Sequence, residues 1–157
     1  MGSIVLDMIK HHEGLRFTVY DDATGRPIVP ESVVTGYPTI GYGRNLATRG
    51  ISQEEADYLL AHDLTKVFKE CSAAFPWFDK LSEARSAVVM DMVFNLGMAG
   101  FKKFKETILA IEAGDYVVAA KNMLASRWSV QVGKRARTLA RMMAEDVGFE
   151  EARKASA

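Results

Sequence analysis

The hydrophobic pattern of this chain changes its period once, near residue 50, and that change limits the fold to one class. From Leu15 to Tyr42 the marked apolar positions are β-branched or aromatic (Phe17, Val19, Ile28, Val33, Val34, Ile40), and Gly25, Pro27, Pro30, Gly36 and Pro38 punctuate them. This texture predicts two or three short strands in a small antiparallel sheet, irregular or at an edge where Pro27 and Pro30 fall. From Ser52 onward the spacing is helical. A Ser52/Glu55 capping box precedes Ala56, Leu59, Leu60, Leu64, Val67 and Phe68, and Pro76 marks the end of that segment. Ahead of the sheet, Ile4, Val5, Met8 and Ile9 form one stripe of a first helix, capped by Ser3, ending near His12 and stopped by Gly14. The sum is an α+β protein. A single domain is expected over residues 1–157: a sheet lobe at about 13–50, a connecting helix at about 53–75, and a helical lobe from 1–12 and 65–157, with a cleft between the lobes.

The helical part divides at its own punctuation. Ser82 opens the most apolar segment, through Val88, Val89, Met92, Val93, Phe94 and Leu96, with Gly97 as the expected stop. Being apolar on most sides, it is expected to be the central buried helix. Another helix is expected from Lys102 to Ala113 before Gly114, another from the Asp115 cap to about Ala125, and a last one from Gly133 or Lys134 to Val147. The polar tail after Gly148 is expected to fray.

Whole-chain properties exclude several classes. Apolar residues make up 48% and charged residues 25%, which rules out a disordered or collagen-like chain. No apolar run approaches the ~20 residues that span a bilayer, and Met1–Lys10 lacks the basic-then-apolar layout of a secretory signal. Cys71 is the sole cysteine, so no internal disulfide is expected and a reducing cytoplasm suits the chain. Net charge is zero yet uneven: residues 51–100 carry four basic and eight acidic side chains, and residues 101–141 carry nine and three. A positive face of this kind suits an anionic polymer, either a bacterial wall or a nucleic acid, although charge alone favours a merely solvated face.

Carboxylates near the sheet are the residues with chemical potential. Glycosidic hydrolysis needs a protonated acid beside the leaving oxygen, and a carboxylate or positioned water facing the developing oxocarbenium ion. Glu13 stands where the first helix yields to the sheet, where apolar neighbours would raise its pKa and keep it protonated. Asp21 and Asp22 follow Tyr20 at a strand end, and alternation puts them on opposite faces, so that one alone can point into a cleft. By themselves these residues are ordinary helix-end and turn features.

Their arrangement is more specific. Glu13-Gly14-Leu15-Arg16, then Tyr20-Asp21-Asp22, then Pro38-Thr39-Ile40-Gly41-Tyr42-Gly43 resembles the signature of the T4-type phage lysozymes, glycoside hydrolase family 24. The likeness continues in order through Gly50-Ile51-Ser52, Arg85 to Gly97, Ala99-Gly100-Phe101, Ser126-Arg127-Trp128 and Arg135-Ala136, covering about residues 4–143. The resemblance implies a lysozyme-like fold and a muramidase cutting the β-1,4 bond between N-acetylmuramic acid and N-acetylglucosamine, without metal or cofactor. Its pattern picks Asp22, nine positions after Glu13, over Asp21. Glu13 would be the general acid, Asp22 would stabilise positive charge or help activate water, and Thr39 would hold that water. Phe94, Asn95, Arg127 and Arg135 would contact the glycan; the structural alternatives are Arg135 in a surface ion pair and Trp128 packed under a helix, the latter at least as well motivated. A buried Asn95 would need a hydrogen-bond partner.

Partners and place follow from the same resemblance. The expected partner is peptidoglycan, and no nucleic acid or stable membrane insertion is implied. The expected protein is a monomeric endolysin that accumulates in the host cytoplasm and reaches the wall through a holin-made lesion. Two departures stand out. Thirteen residues separate Gly25 from Thr39, more than in the shortest members, so that Arg26 to Tyr37 enlarges the sheet lobe. Arg44 stands where some members carry His, and being permanently charged it suits a salt bridge rather than a titrating role.

Other readings were weighed. His11 and His12 are adjacent and so point about 100° apart on a helix, which disfavours a metal site. Gly41-Tyr42-Gly43 is too short for a phosphate cradle. A non-catalytic glycan-binding module of the same fold is the alternative function. A nucleic-acid binder using residues 101–141 leaves the Glu13 to Gly43 motif unexplained.

Overall fold

The computed structural model describes residues 3–154. These fall into two compact units, Met1–Tyr58 and Leu59–Ala157. In the first, helix α1 (Ser3–Glu13) ends on Gly14, whose φ of +67° lets its N–H close the last turn onto the Lys10 carbonyl at 3.2 Å. The cap expected of the Ser3 side chain lies outside the described residues. Strands β1 (Arg16–Asp21), β2 (Pro38–Gly41) and β3 (Arg44–Asn45) form an antiparallel sheet in chain order. The third strand begins just past Tyr42, where the strand texture had been expected to end. β1 pairs with β2 through Arg16↔Gly41, Tyr20↔Thr39 and Asp21↔Pro38, with an irregularity between the first two pairs.

The segment between β1 and β2 is irregular, as its prolines require. Its one ladder contact is the Tyr20↔Pro27 bridge. Pro30 and Glu31 make a turn closed by Ser32 N–H on the Val29 carbonyl at 3.0 Å, with Glu31 at φ +71°. At the far end of the sheet, Arg44 grips Glu55 with both terminal nitrogens (2.6 and 2.8 Å) while its Nε donates to the Gly50 carbonyl at 2.7 Å. The expected salt bridge is thus present. The Ser52/Glu55 capping box is complete, with bonds of 2.7 and 3.2 Å, and opens helix α2 (Gln53–Ala74). The Ser52 N–H, and next the Arg44 guanidinium, hold the Glu55 carboxyl below its ordinary range.

The second unit is helical. Helix α3 (Glu83–Phe101) contributes Val88, Val89, Met92, Val93 and Phe101 to a core shared with Val67 and Cys71 of α2. Gly97 breaks the helical geometry where its sequence reading expects a stop, at φ 70°, ψ 159°, and a further turn beyond the break carries Phe101 into full burial. The next helix therefore begins later than expected, as α4 (Lys105–Glu112). Asp115 caps α5 (Tyr116–Leu124) by accepting from Val118 N–H at 3.1 Å. A short helix α6 (Arg127–Val132), capped by Ser126, occupies the stretch between the helices expected to end near Ala125 and to start at Gly133 or Lys134. Helix α7 (Lys134–Glu145) packs against α3, α5, α6 and α8 and stops at left-handed Asp146. The tail does not fray before residue 154, because α8 (Phe149–Lys154) anchors itself through fully buried Ala152.

Candidate active site

Three residues singled out from sequence, Glu13, Asp22 and Thr39, lie in the first unit. The β1–β2 register orders them. Glu13 precedes β1 at its Gly41 end, Asp22 follows β1 just past the Pro38 end, and Thr39 lies on β2 opposite Tyr20.

The last turn of α1 delivers the Glu13 side chain onto the β2–β3 turn. A Cβ built on Gly43 would clash with Glu13 Oε2 and lie 3.1 Å from Cδ, and Gly43 itself sits at φ +66°. The positive φ favours glycine here, and the contact shows how closely the Glu13 side chain lies over the turn. Glu13 is exposed and, among the described residues, its carboxylate has no hydrogen-bond or ion-pair partner. Glu13 is therefore not enclosed in the way its sequence reading expects.

Asp21 and Asp22 divide as alternation requires. Asp21 is buried at 3% exposure and accepts from Thr35 N–H (2.8 Å), Thr35 Oγ1–H (2.9 Å), Gly36 N–H (3.0 Å) and Ala23 N–H (3.0 Å). The backbone bond from Thr35 comes first among the causes that lower the Asp21 pKa from 3.8 to about 2. A depressed folded-state pKa adds stability above the unfolded value, and that stability is lost as pH falls. Thermal melts from pH 4 down to pH 2 should show a steeper loss for the wild type than for Asp21→Asn. Equal slopes would deny Asp21 this coupling.

Asp22 is exposed, and the peptide groups of Tyr37 fix it. Tyr37 N–H donates to Asp22 Oδ1 at 2.7 Å, and Asp22 N–H donates back to the Tyr37 carbonyl at 3.2 Å. That carbonyl also accepts the Thr39 hydroxyl at 3.1 Å. Thr39 is buried, and with its proton committed to Tyr37 it offers only lone pairs to any further partner. Tyr37 is therefore the shared anchor of both residues. Sequence reading missed it, although its place one residue before Pro38 marked the loop's return to the sheet.

Gly36 makes this turn feasible. A Cβ there would meet Ala23 N at 2.7 Å and Ala23 Cβ at 2.7 Å, and would clash with Asp22 Oδ1. Because a backbone atom is among these, the clash has no easy relief. Gly36→Ala should cost about 1–3 kcal/mol in urea denaturation, the usual range for overpacking.

The other candidates lie in the second unit. Asn95 is exposed rather than buried, and its Oδ1 accepts from Trp128 Nε1 at 3.0 Å. Trp128 is buried and packs edge-on against Phe104, so its role is structural. Arg135 makes a two-pronged pair with Asp91, both bonds 2.9 Å. Phe94 is exposed. Arg127 lies at a cavity of about 810 Å³ beside Lys103, Lys105, Asn122 and Trp128, which gathers part of the basic segment at one opening.

Among the described residues, no group of His, Cys, Asp and Glu is arranged to hold a metal ion, and no helix is long and apolar enough to cross a membrane. Cys71 is buried, which pushes its thiol up to about 11.

The chain is 27% identical to the pre-baseplate central spike protein Gp5 of Enterobacteria phage T4 over 158 residues, covering 83% of this chain but only 26% of that protein. It is 25% identical to probable T4-type lysozyme 2 and 26% identical to probable T4-type lysozyme 1 of Dictyostelium discoideum, covering 86% of this chain and 90% of each relative. The phage lysozyme family matches residues 10–145, a span that holds Glu13, the Tyr37 anchor and every helix from α2 to α7. The chain belongs to the phage lysozyme family.

Proposed function

We infer that this protein is a muramidase that hydrolyses the β-1,4 bond from N-acetylmuramic acid to N-acetylglucosamine in bacterial peptidoglycan. The observation that carries this reading is the contrast between two carboxylates of one sheet unit. Glu13 is exposed and unpartnered, whereas Asp22 is fastened by the Tyr37 N–H that also shares its residue with Thr39. An unpartnered carboxyl can turn toward a glycosidic oxygen without breaking a bond, and one held by an N–H keeps a fixed orientation.

In the proposed reaction Glu13 gives its proton to the glycosidic oxygen as the bond to the muramic acid C1 breaks. Asp22 stabilises the positive charge that develops on the sugar, or draws a proton from the attacking water. A lone pair of the Thr39 hydroxyl accepts a hydrogen from that water, since its own proton is bound to the Tyr37 carbonyl. Water adds to C1, where one of its hydrogens stays on the new hydroxyl, and the single proton it releases restores the carboxyl pair. No metal or cofactor enters these steps.

The basic opening around Arg127 would receive the carboxylates of the stem peptide, while Arg135, Asn95 and Phe94 would border the glycan. Arg135 and Asn95 reach it only as groups already held by Asp91 and Trp128. We further read the protein as a monomeric endolysin held in the host cytoplasm until a holin opens the membrane, and then acting in lysis. Turbidity of outer-membrane-permeabilised Gram-negative cells tests the activity. Clearing by the purified wild type is expected. Intact suspensions at all enzyme concentrations, with retention of the protein on isolated walls, would instead indicate a non-catalytic glycan binder.

A further inference from the structure

We propose that Asp21 is a positioning residue for the reaction: its carboxylate fixes Thr35 and Gly36, and through them sets the Tyr37 peptide groups that orient both Asp22 and Thr39. The inference rests on the functional reading above and adds a residue that this reading does not use.

The argument is one of connectivity. Between Asp22 and Tyr37 the chain makes a long excursion touched by the Tyr20↔Pro27 bridge, and strand pairing resumes at Asp21↔Pro38, leaving Thr35 and Gly36 outside the ladder. The Asp21 side chain fixes these two residues. Three of its four accepted bonds come from residues 14 and 15 positions away, Thr35 and Gly36, and the fourth, from Ala23 N–H, holds the outgoing limb. One buried carboxylate therefore clamps both limbs of the loop together. Tyr37 is the next residue after the clamp, and its N–H and carbonyl supply the contacts to Asp22 and Thr39. Gly36 confirms how closely the limbs approach, because they leave no room for a methyl group.

Charge and hydrogen-bond capacity explain why an aspartate serves here. Four donors converge on two carboxylate oxygens, which an ionised side chain can accept in full. An asparagine keeps one accepting oxygen, so its NH2 group must face a backbone N–H, either that of Thr35 or those of Ala23 and Gly36. Donor then faces donor, and the clamp on the incoming limb loosens. Asp22 would keep its place in the sequence but lose its fixed orientation. Misplacement of a reacting group by about 1 Å can cost on the order of 10²-fold in rate, while ground-state binding elsewhere on the glycan is untouched.

The test compares wild type, Asp21→Asn and Thr35→Val on soluble glycan oligomers from peptidoglycan, with hydrogen exchange at the Tyr37 amide followed by NMR. Asp21→Asn should lower kcat by roughly 10–10²-fold with KM within about twofold, and should speed exchange at Tyr37. Thr35→Val removes only the hydroxyl donor and should give a smaller fall in the same direction. It decides the matter if Asp21→Asn fails to fold. Wild-type kcat in a folded Asp21→Asn, or in Thr35→Val when that variant alone folds, would overturn the proposal. So would a fall in kcat with Tyr37 exchange unchanged. If the wild type turned over no glycan, the functional reading would fail by itself. Faster Tyr37 exchange in Asp21→Asn would then still support the positioning role, and unchanged exchange would still reject it.

Discussion

Glu13→Gln should leave the protein folded and reduce wall clearing by about 10²–10⁴-fold, the usual contribution of a positioned general acid. The amide matches the carboxyl in shape but has no proton of suitable acidity to give. Folding should scarcely change, because the Glu13 carboxylate is exposed and accepts no bond among the described residues. Surface substitutions of that kind stay within about 0.5 kcal/mol. Activity from turbidity and Tm from circular dichroism should therefore separate completely. A Glu13→Gln protein that clears cells at the wild-type rate would remove Glu13 from the mechanism, whatever the fold.

The largest effect on stability is expected at the opposite kind of residue. Phe101 is fully buried, edge-on to Phe75 at 5.7 Å and nearly parallel to Phe104 at 6.5 Å. It lies in the extra turn that α3 makes beyond Gly97. Phe101→Ala removes the ring and leaves a cavity among aromatic side chains that cannot fully collapse, at a cost of about 3–5 kcal/mol. In a domain of this size the loss corresponds to a fall in Tm of roughly 10 °C. Urea denaturation measures it directly. A loss below about 1 kcal/mol would show that Phe101 is not the core residue its burial indicates.

Fold class was legible because each element carries its own periodicity and punctuation. Ser52 and Glu55 announced α2, Asp115 announced α5, and Gly14 ended α1 with the positive φ its position requires. Gly97 was legible too, since helical geometry breaks there. Legibility failed where a short segment is held by tertiary contact, as in the extra turn beyond Gly97 that buries Phe101. Ala152 similarly anchors a tail whose composition is polar. No local pattern encodes either contact.

The site shows the same division. Alternation along β1 correctly separated Asp21 from Asp22, and the Arg44 ion pair followed from its permanent charge. The function of Asp21 was not readable, since its donors lie beyond an irregular loop, 14 and 15 residues away. Asn95 and Arg135 were chosen as donors to a glycan, yet the structure already engages them with Trp128 and Asp91. Sequence shows which groups are available for chemistry, and packing decides which of them are already taken.

The central claim is hydrolysis at the muramic acid C1. Purified peptidoglycan should be digested to completion, its fragments reduced with borohydride, and the new chain ends identified by mass spectrometry. Reducible N-acetylmuramic acid ends, one for each bond cut and carrying one solvent oxygen from ¹⁸O-labelled water, are the expected result. Ends of N-acetylglucosamine, or non-reducible anhydro-sugar ends without solvent oxygen, would contradict the account.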